Sequence, residues 1–356
     1  MAASLRRCLD VQWDATALAL QNLSSGLSAS GVWRVRQREA GSFSFILKIP
    51  DWQDSPVLRL FSEDVIERER RVFESGLLEK LMDSGILTPR ILAVETYQEH
   101  IWIWMEDLDG ALLPIRTRDD AQVIARECSR LHRFYQQHRE ELERFAWLSR
   151  NEHRRYAHLA PLAEHNLTLL PAQSAPQLRF SSQDIDDLKD ALKSLDWIDS
   201  EIAGLPSTLS HGDFHNRNLG LSNKGAMIVL DWAHLGIGPP GCDMATFISL
   251  YRLFGGMGGD YGSGFDEQMI DAYAGSLQET GTRAISADQV WRACGLWHLS
   301  WGLHLRLGAG LQAIFENRIL EEEGRERAAM DVREGCQRAL DFFRKNRSLS
   351  SFRREF

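Results

Sequence analysis

The sequence predicts an α+β fold with its strands gathered early and its helices late. Two observations carry that reading. The first hundred residues hold short runs of apolar or alternating residues bounded by glycine, serine and proline, the pattern of strands. From about Leu112 onward apolar residues recur at three- and four-residue intervals, the pattern of helices. At 356 residues the chain is long enough for two domains.

Thr16 to Leu23 and Val32 to Arg38 are the first two strands, joined by Ser24-Ser25-Gly26-Leu27-Ser28-Ala29-Ser30-Gly31. Gly26, Ser28 and Gly31 stand first, third and sixth in a G-x-G-x-x-G spacing with serine at the middle glycine. Such small residues let backbone N–H groups approach phosphate oxygens; taken alone, the spacing reads first as a serine-glycine hairpin loop. Phe43 to Ile49 is a third strand, with Phe43, Phe45 and Leu47 on one face and Lys48 on the other. Ser62 to Met82 is a helix, capped by Ser62 or Asp64. Pro89 to Tyr97 and His100 to Met105 complete a five-stranded sheet, and the chain leaves it through Met105-Glu106-Asp107-Leu108-Asp109-Gly110.

In the second part, Ala121 to Gln137 sets Ile124, Cys128, Leu131 and Tyr135 on one helical stripe. Glu140 to Leu205 is helical, interrupted by Pro161, Pro171 and Pro176 and followed by Pro206. The stretch Phe254 to Gly264 has six glycines in eleven positions, either a mobile rim over a substrate or a disordered loop; no lysine follows in Walker spacing. The helix after Ser286 carries Trp291, Trp297, His298, Trp301 and His304, which read as core aromatics or as a wall for a cationic ligand. Glu321 to Glu323 and the basic tail from Arg344 read as solvated surface.

The chemistry concentrates in Leu209 to Ala245. A polar loop, His211-Gly212-Asp213-Phe214-His215-Asn216-Arg217-Asn218, precedes a turn at Ser222 to Gly225 and a buried-looking strand, Ala226 to Leu230, that ends on Asp231. An ionised carboxylate at the end of such a strand needs a partner to offset its desolvation. Asn218 and Asp231 offer hard oxygen donors suited to Mg2+, and Asp213 is placed to accept a hydroxyl proton. That is the set a phosphoryl-transfer site requires. Any one of these residues alone would read as a turn cap.

The string H-G-D-F-H-N-R-N followed by I-V-L-D-W, and then G-I-G-P-P-G-C-D-M-A with Asp243 opening a helix, resembles the catalytic and metal-binding loops of the aminoglycoside phosphotransferase and choline kinase superfamily. The resemblance implies a bilobal protein-kinase-like fold, with an antiparallel nucleotide-binding lobe over residues 1–107 and a mostly helical lobe over residues 108–356. It implies that Lys48 grips the α- and β-phosphates of ATP. Glu67-Arg68-Glu69 resembles the element that holds this lysine, which assigns Glu69 as its partner and leaves Glu67 as the alternative. It implies further that Gly26, Ser28 and Gly31 cover the phosphates, that backbone groups of Glu106 and Leu108 meet the adenine edge, that Asn218 and Asp231 bind Mg2+, and that Asp213 is the catalytic base. His132, in Ser129-Arg130-Leu131-His132, resembles the end of a helix packed beneath the catalytic loop and is expected to be structural.

Composition narrows the partners. A net charge of −9 argues against nucleic acid, which needs a basic face. No apolar run approaches the length that spans a bilayer, and the first fourteen residues lack a signal-peptide pattern. Five scattered cysteines without metal spacing suit a reducing cytoplasm. The expected activity is transfer of the γ-phosphoryl of ATP to a hydroxyl of a small metabolite or antibiotic. Two rivals are a catalytically inactive nucleotide-binding module and a protein kinase. The H-R-D, D-F-G and A-P-E signatures of protein kinases are replaced or missing here.

Overall fold

Five antiparallel strands and a long helical array are the two structural themes of the chain. The computed structural model describes residues 1–9, 16, 18–23, 31–37, 44–50, 64–172, 176–251, 253, 264–279, 285–319 and 321–351. Gly26, Ser28 and nearly all of the glycine-rich stretch at 254–264 lie outside the described residues. In chain order the elements begin α1 (Ala2–Leu9), β1 (Leu18–Asn22), β2 (Gly31–Gln37), β3 (Ser44–Ile49), α2 (Asp64–Glu74), α3 (Leu77–Asp83), β4 (Ile91–Tyr97) and β5 (His100–Glu106). There follow α4 (Arg118–Leu142), α5 (Ala160–Leu169), α6 (Ser182–Leu192), α7 (Leu195–Ala203), the short strands β6 (Thr208–Ser210), β7 (Leu219–Leu221), β8 (Met227–Val229) and β9 (Gly236–Gly238), then α8 (Cys242–Tyr251), α9 (Phe265–Glu279), α10 (Ala287–Trp297), α11 (Leu311–Phe315) and α12 (Glu322–Ser351).

The chain divides into two compact units, residues 1–113 with 221–234, and residues 114–220 with 235–356. In the first, the sheet order is β1-β2-β3-β5-β4. Strand alternation decides its two faces. Leu47 is fully buried in a cluster with Leu5, Leu18, Val35 and Trp104, so α1 covers that side. Lys48, its neighbour in β3, points to the other face, paired in register with Val32 and Ile103.

The single helix expected from Ser62 to Met82 is two over its described part, which starts at Asp64; Ser62 lies outside the described residues. Gly76 adopts φ 70°, a left-handed conformation that an L side chain resists, and the chain turns there between α2 and α3. Among the described side chains of α2, Val65, Arg68, Glu69 and Val72 are buried and share one face, which aims Glu69 inward. The segment 221–234 joins this unit through Leu87, whose carbonyl accepts the Val229 N–H at 2.9 Å.

In the second unit α4 buries Ile124, Cys128, Leu131 and Tyr135, as their spacing predicts, and opens on a capping box between Thr117 and Asp120. A core of Leu167, Leu188, Leu192, Ile198, Leu299, Leu303, Leu307 and Leu340 lies among α5, α6, α7, the region after α10, and α12. Trp297 and Trp301 are each 1% exposed, stacked 6.3 Å apart, so they are buried core side chains. Only Trp291 of the aromatic set stands out in solvent, at 38%. β6 and β9 pair antiparallel and bring Ser210, the residue before the polar loop, opposite Gly236.

Candidate active site

In the first unit the site begins with Lys48. Its Nζ lies 2.5 Å from Glu69 Oε1 and 2.9 Å from Asp231 Oδ1, so one ammonium is shared by two carboxylates. Burial opposes the charged lysine, but the two carboxylates outweigh it and raise its pKa, which keeps it cationic. Glu69 is 1% exposed, and its burial pushes its pKa up to about 7 against the pull of Lys48. Glu67, the alternative partner, is occupied on the surface of α2 by Arg70 and Arg71. The structure therefore brings together Lys48, Glu69 and Asp231, and leaves Glu67 out.

Asp231 follows β8 with φ 57°, a left-handed conformation that Asp tolerates better than most side chains. Its neighbours hold it there. Trp232 is buried and donates its indole N–H to Thr88 Oγ1 at 3.0 Å, and the Ala233 carbonyl accepts from Arg68 at 3.4 Å. The Asp231 side chain is 38% exposed, in contrast to 9% for Lys48, so the carboxylate reaches the open side of the pair. The strand exit is also defined. The Glu106 N–H donates to the Arg90 carbonyl at 2.9 Å, and the Leu108 carbonyl accepts the N–H groups of Ala111 and Leu112 at 2.8 and 3.1 Å. Gly31 opens β2; Gly26 and Ser28 are outside the described residues.

In the second unit Asp213 and Asn218 stand together. Asn218 Nδ2 donates to both the main-chain carbonyl and Oδ2 of Asp213, each at 3.0 Å, and His215 Nε2 lies 3.3 Å from the same Oδ2. With its amide nitrogen turned to Asp213, Asn218 directs Oδ1 away from it. The loop is pinned from below by Asp243, at the start of α8. Ser210 Oγ and the N–H groups of His211 and Gly212 donate to its carboxylate at 3.0, 2.9 and 3.0 Å. Asp243 is 4% exposed; burial raises its pKa while the charge of His211 and these donors work the other way. Gly212 sits at φ 77°, where its two neighbours need a tight reversal.

The sequence singled out Asp243 without giving it this anchoring task, and it did not find Glu152 or Arg155. Arg155 donates to the Gly212 carbonyl and pairs with the buried Glu152. No local signal marks them, because a charged pair in and just after a short 3-10 segment looks like surface. His132 is 1% exposed, and burial lowers its pKa to about 4, so it is a neutral packing residue on the buried side of α4.

The sequence matches the phosphotransferase enzyme family (APH) over residues 19–285, about three-quarters of its length. The chain belongs to that family. Three solved structures share the fold of this phosphotransferase. An ethanolamine kinase of Plasmodium vivax is 15% identical with a TM-score of 0.52, over 90% of this chain and 83% of that one. An amicoumacin kinase, in complex with AMP-PNP, Ca2+ and its antibiotic, is 14% identical with a TM-score of 0.56, over 91% and 89%. A choline kinase of Streptococcus pneumoniae is 15% identical with a TM-score of 0.51, over 94% and 96%. A search of curated proteins finds no match. The chain is thus a phosphotransferase with a protein-kinase-like α+β fold. None of its helices, among the described residues, is long and apolar enough to cross a membrane.

Proposed function

We propose that this kinase transfers the γ-phosphoryl of ATP to a hydroxyl of a small metabolite or antibiotic. One observation carries the reading: a buried strand lysine shared between Glu69 and Asp231. Its charge is fixed by carboxylates that a polyphosphate and its metal can take over in part. In this reading residues 1–107 form the nucleotide lobe and residues 108–356 the acceptor lobe. Lys48 holds the α- and β-phosphates, Glu69 orients Lys48, and Gly26, Ser28 and Gly31 cover the phosphates. The adenine edge meets Glu106 and Leu108. Because the Leu108 carbonyl already accepts two bonds, its N–H is the group assigned to the base.

Mg2+ fits the donors assigned to it. Asn218 presents an amide oxygen and Asp231 a half-open carboxylate, both hard ligands. No group of three or more His, Cys, Asp or Glu among the described residues could hold a metal by itself. A metal here would draw its other ligands from water and phosphate, the usual habit of Mg2+. When bound, it would neutralise charge on the phosphates. Asp213 orients the acceptor hydroxyl and takes its proton, while Asn218 and His215 hold the carboxylate still.

The acceptor is a hydroxyl compound, in keeping with the ethanolamine, choline and amicoumacin kinases that share the fold. We assign the protein to the cytoplasm, where its five free thiols would stay reduced. The test is ATP consumption with Mg2+ against ethanolamine, choline, aminoglycosides, macrolides, homoserine and sugars. Acceptor-dependent ADP release supports the proposal. Nucleotide binding without turnover on any acceptor would favour the inactive module instead.

A further inference from the structure

Arg155 lies just after the short 3-10 segment Glu152–Arg154, and only 6% of its side chain is exposed. A buried guanidinium requires an account for every donor. Its Nε donates to Glu152 Oε2 at 2.7 Å, and Nη2 also faces that oxygen. The same Nη2 donates to the Gly212 carbonyl at 2.8 Å. Its Nη1 is buried, makes no hydrogen bond within the protein, and lies 3.7 Å from Asp213 Oδ1.

These contacts divide the loop between two charges of opposite sign. Asp243 takes the N–H groups of His211 and Gly212. Arg155 takes the carbonyl of Gly212, so the peptide that leads directly into Asp213 is held at its oxygen as well. On the side chain, Oδ2 is met by Asn218 and His215, whereas Oδ1 faces Arg155. A structural salt bridge would be complete with Glu152 alone. The Gly212 contact and the unbonded Nη1 beside Oδ1 are left unexplained by that role.

We infer that Arg155, braced by Glu152, is a positioning residue for Asp213, fixing both the peptide before it and the direction of its carboxylate. The inference rests on the assignment of Asp213 as the base in the proposed kinase reaction. Arg155 itself makes no bond to the phosphoryl group. It sets the angle at which Oδ1 meets the acceptor hydroxyl, a geometry on which proton transfer depends steeply.

The test uses the full-length protein with Arg155→Met, and with Arg155→Met combined with Glu152→Gln so that no lone buried carboxylate remains. Hydrogen exchange at residues 211–218 is followed beside the melting temperature, with or without substrates. The inference expects faster exchange confined to that loop in both variants, with the rest of the chain and the melting temperature of the double variant unchanged. With an acceptor that supports turnover, kcat should fall about ten- to a hundredfold, the span for losing a hydrogen bond from a charged donor. The KM for ATP should stay within about twofold, and millimolar guanidinium should restore part of kcat. Unchanged exchange in the loop overturns the inference, whether or not any acceptor is found. So does faster exchange across the whole chain with a lower melting temperature in the double variant, which marks a merely structural pair. A wild-type protein that consumes no ATP with any acceptor refutes the kinase reading instead, while the exchange result still decides whether Arg155 holds the loop.

Discussion

The end of β3 in the first unit and the His211–Asn218 loop in the second both bury charge, but they stabilise it by different means. Lys48 is balanced side chain to side chain, one cation between Glu69 and Asp231. Asp243 is balanced by a hydroxyl and two backbone N–H groups, and Asp213 by an amide, a histidine and Arg155. Side-chain charges can be exchanged for those of a ligand, whereas backbone bonds fix a loop regardless of what is bound. The first region is accordingly built to change partners and the second to stay still. Damage to the first should appear in nucleotide binding, and damage to the second in turnover.

The largest expected effect is at Asp213. Asp213→Asn should lower kcat by about 10²–10⁴, as loss of a general base does, with AMP-PNP affinity within about twofold. Steady-state kinetics beside a binding titration would show it; a variant with full turnover removes Asp213 from the chemistry. Next is Lys48→Met, which strands Glu69 and Asp231 without their cation. Breaking a buried pair by removing one partner costs about 3–5 kcal/mol. Glu69, already raised to about 7, can then take a proton. A group with a raised folded pKa favours the folded state at low pH and loses that contribution as pH rises through the folded value. Urea unfolding should therefore find a larger deficit at pH 8 than at pH 6, and equal deficits would contradict the pairing.

Asp243→Asn comes third. It replaces a carboxylate oxygen with an amide that faces donors, at about 1.5–3 kcal/mol for a lost charged hydrogen bond. Turnover should drop with stability, and an unaltered unfolding curve would show that the loop has another anchor. The smallest effect is at His132. Its folded pKa of about 4 lies below the ordinary value near 6.5, so its contribution is complete above pH 6.5 and is lost as pH falls toward 4. At pH 5 this amounts to about 2 kcal/mol relative to an uncharged residue. His132→Leu should flatten the acid side of the stability profile, and a parallel profile would mean that His132 titrates normally.

Much of this was readable from residues whose neighbours in sequence set their direction. Lys48 follows Leu47 in a strand, so their faces had to differ, and Glu69 lies on the Val65–Val72 stripe of α2. Trp297 and Trp301, four apart, announced a common face, and the packing settled it as core. What stayed hidden depended on contacts far along the chain. The break at Gly76 needed a left-handed residue where periodicity continued, although Ser75-Gly76 was a usable signal. The helix α1 is not legible because its eight residues are stabilised by distant partners, packing on the sheet and the bonds of Ser4 and Arg7 to Glu95. Arg155 and Gly212 are fifty-seven residues apart, and no spacing rule links a 3-10 segment to a loop.

Titration of AMP-PNP into the wild-type protein and into Asp231→Ala, each with and without Mg2+, is the most direct test of the claim that Lys48 and Asp231 mark the triphosphate site. The account predicts that Mg2+ strengthens binding to the wild type by tenfold or more (about 1.4 kcal/mol) and that this gain disappears in Asp231→Ala. An Asp231→Ala protein whose binding depends on Mg2+ as strongly as the wild type's would contradict it.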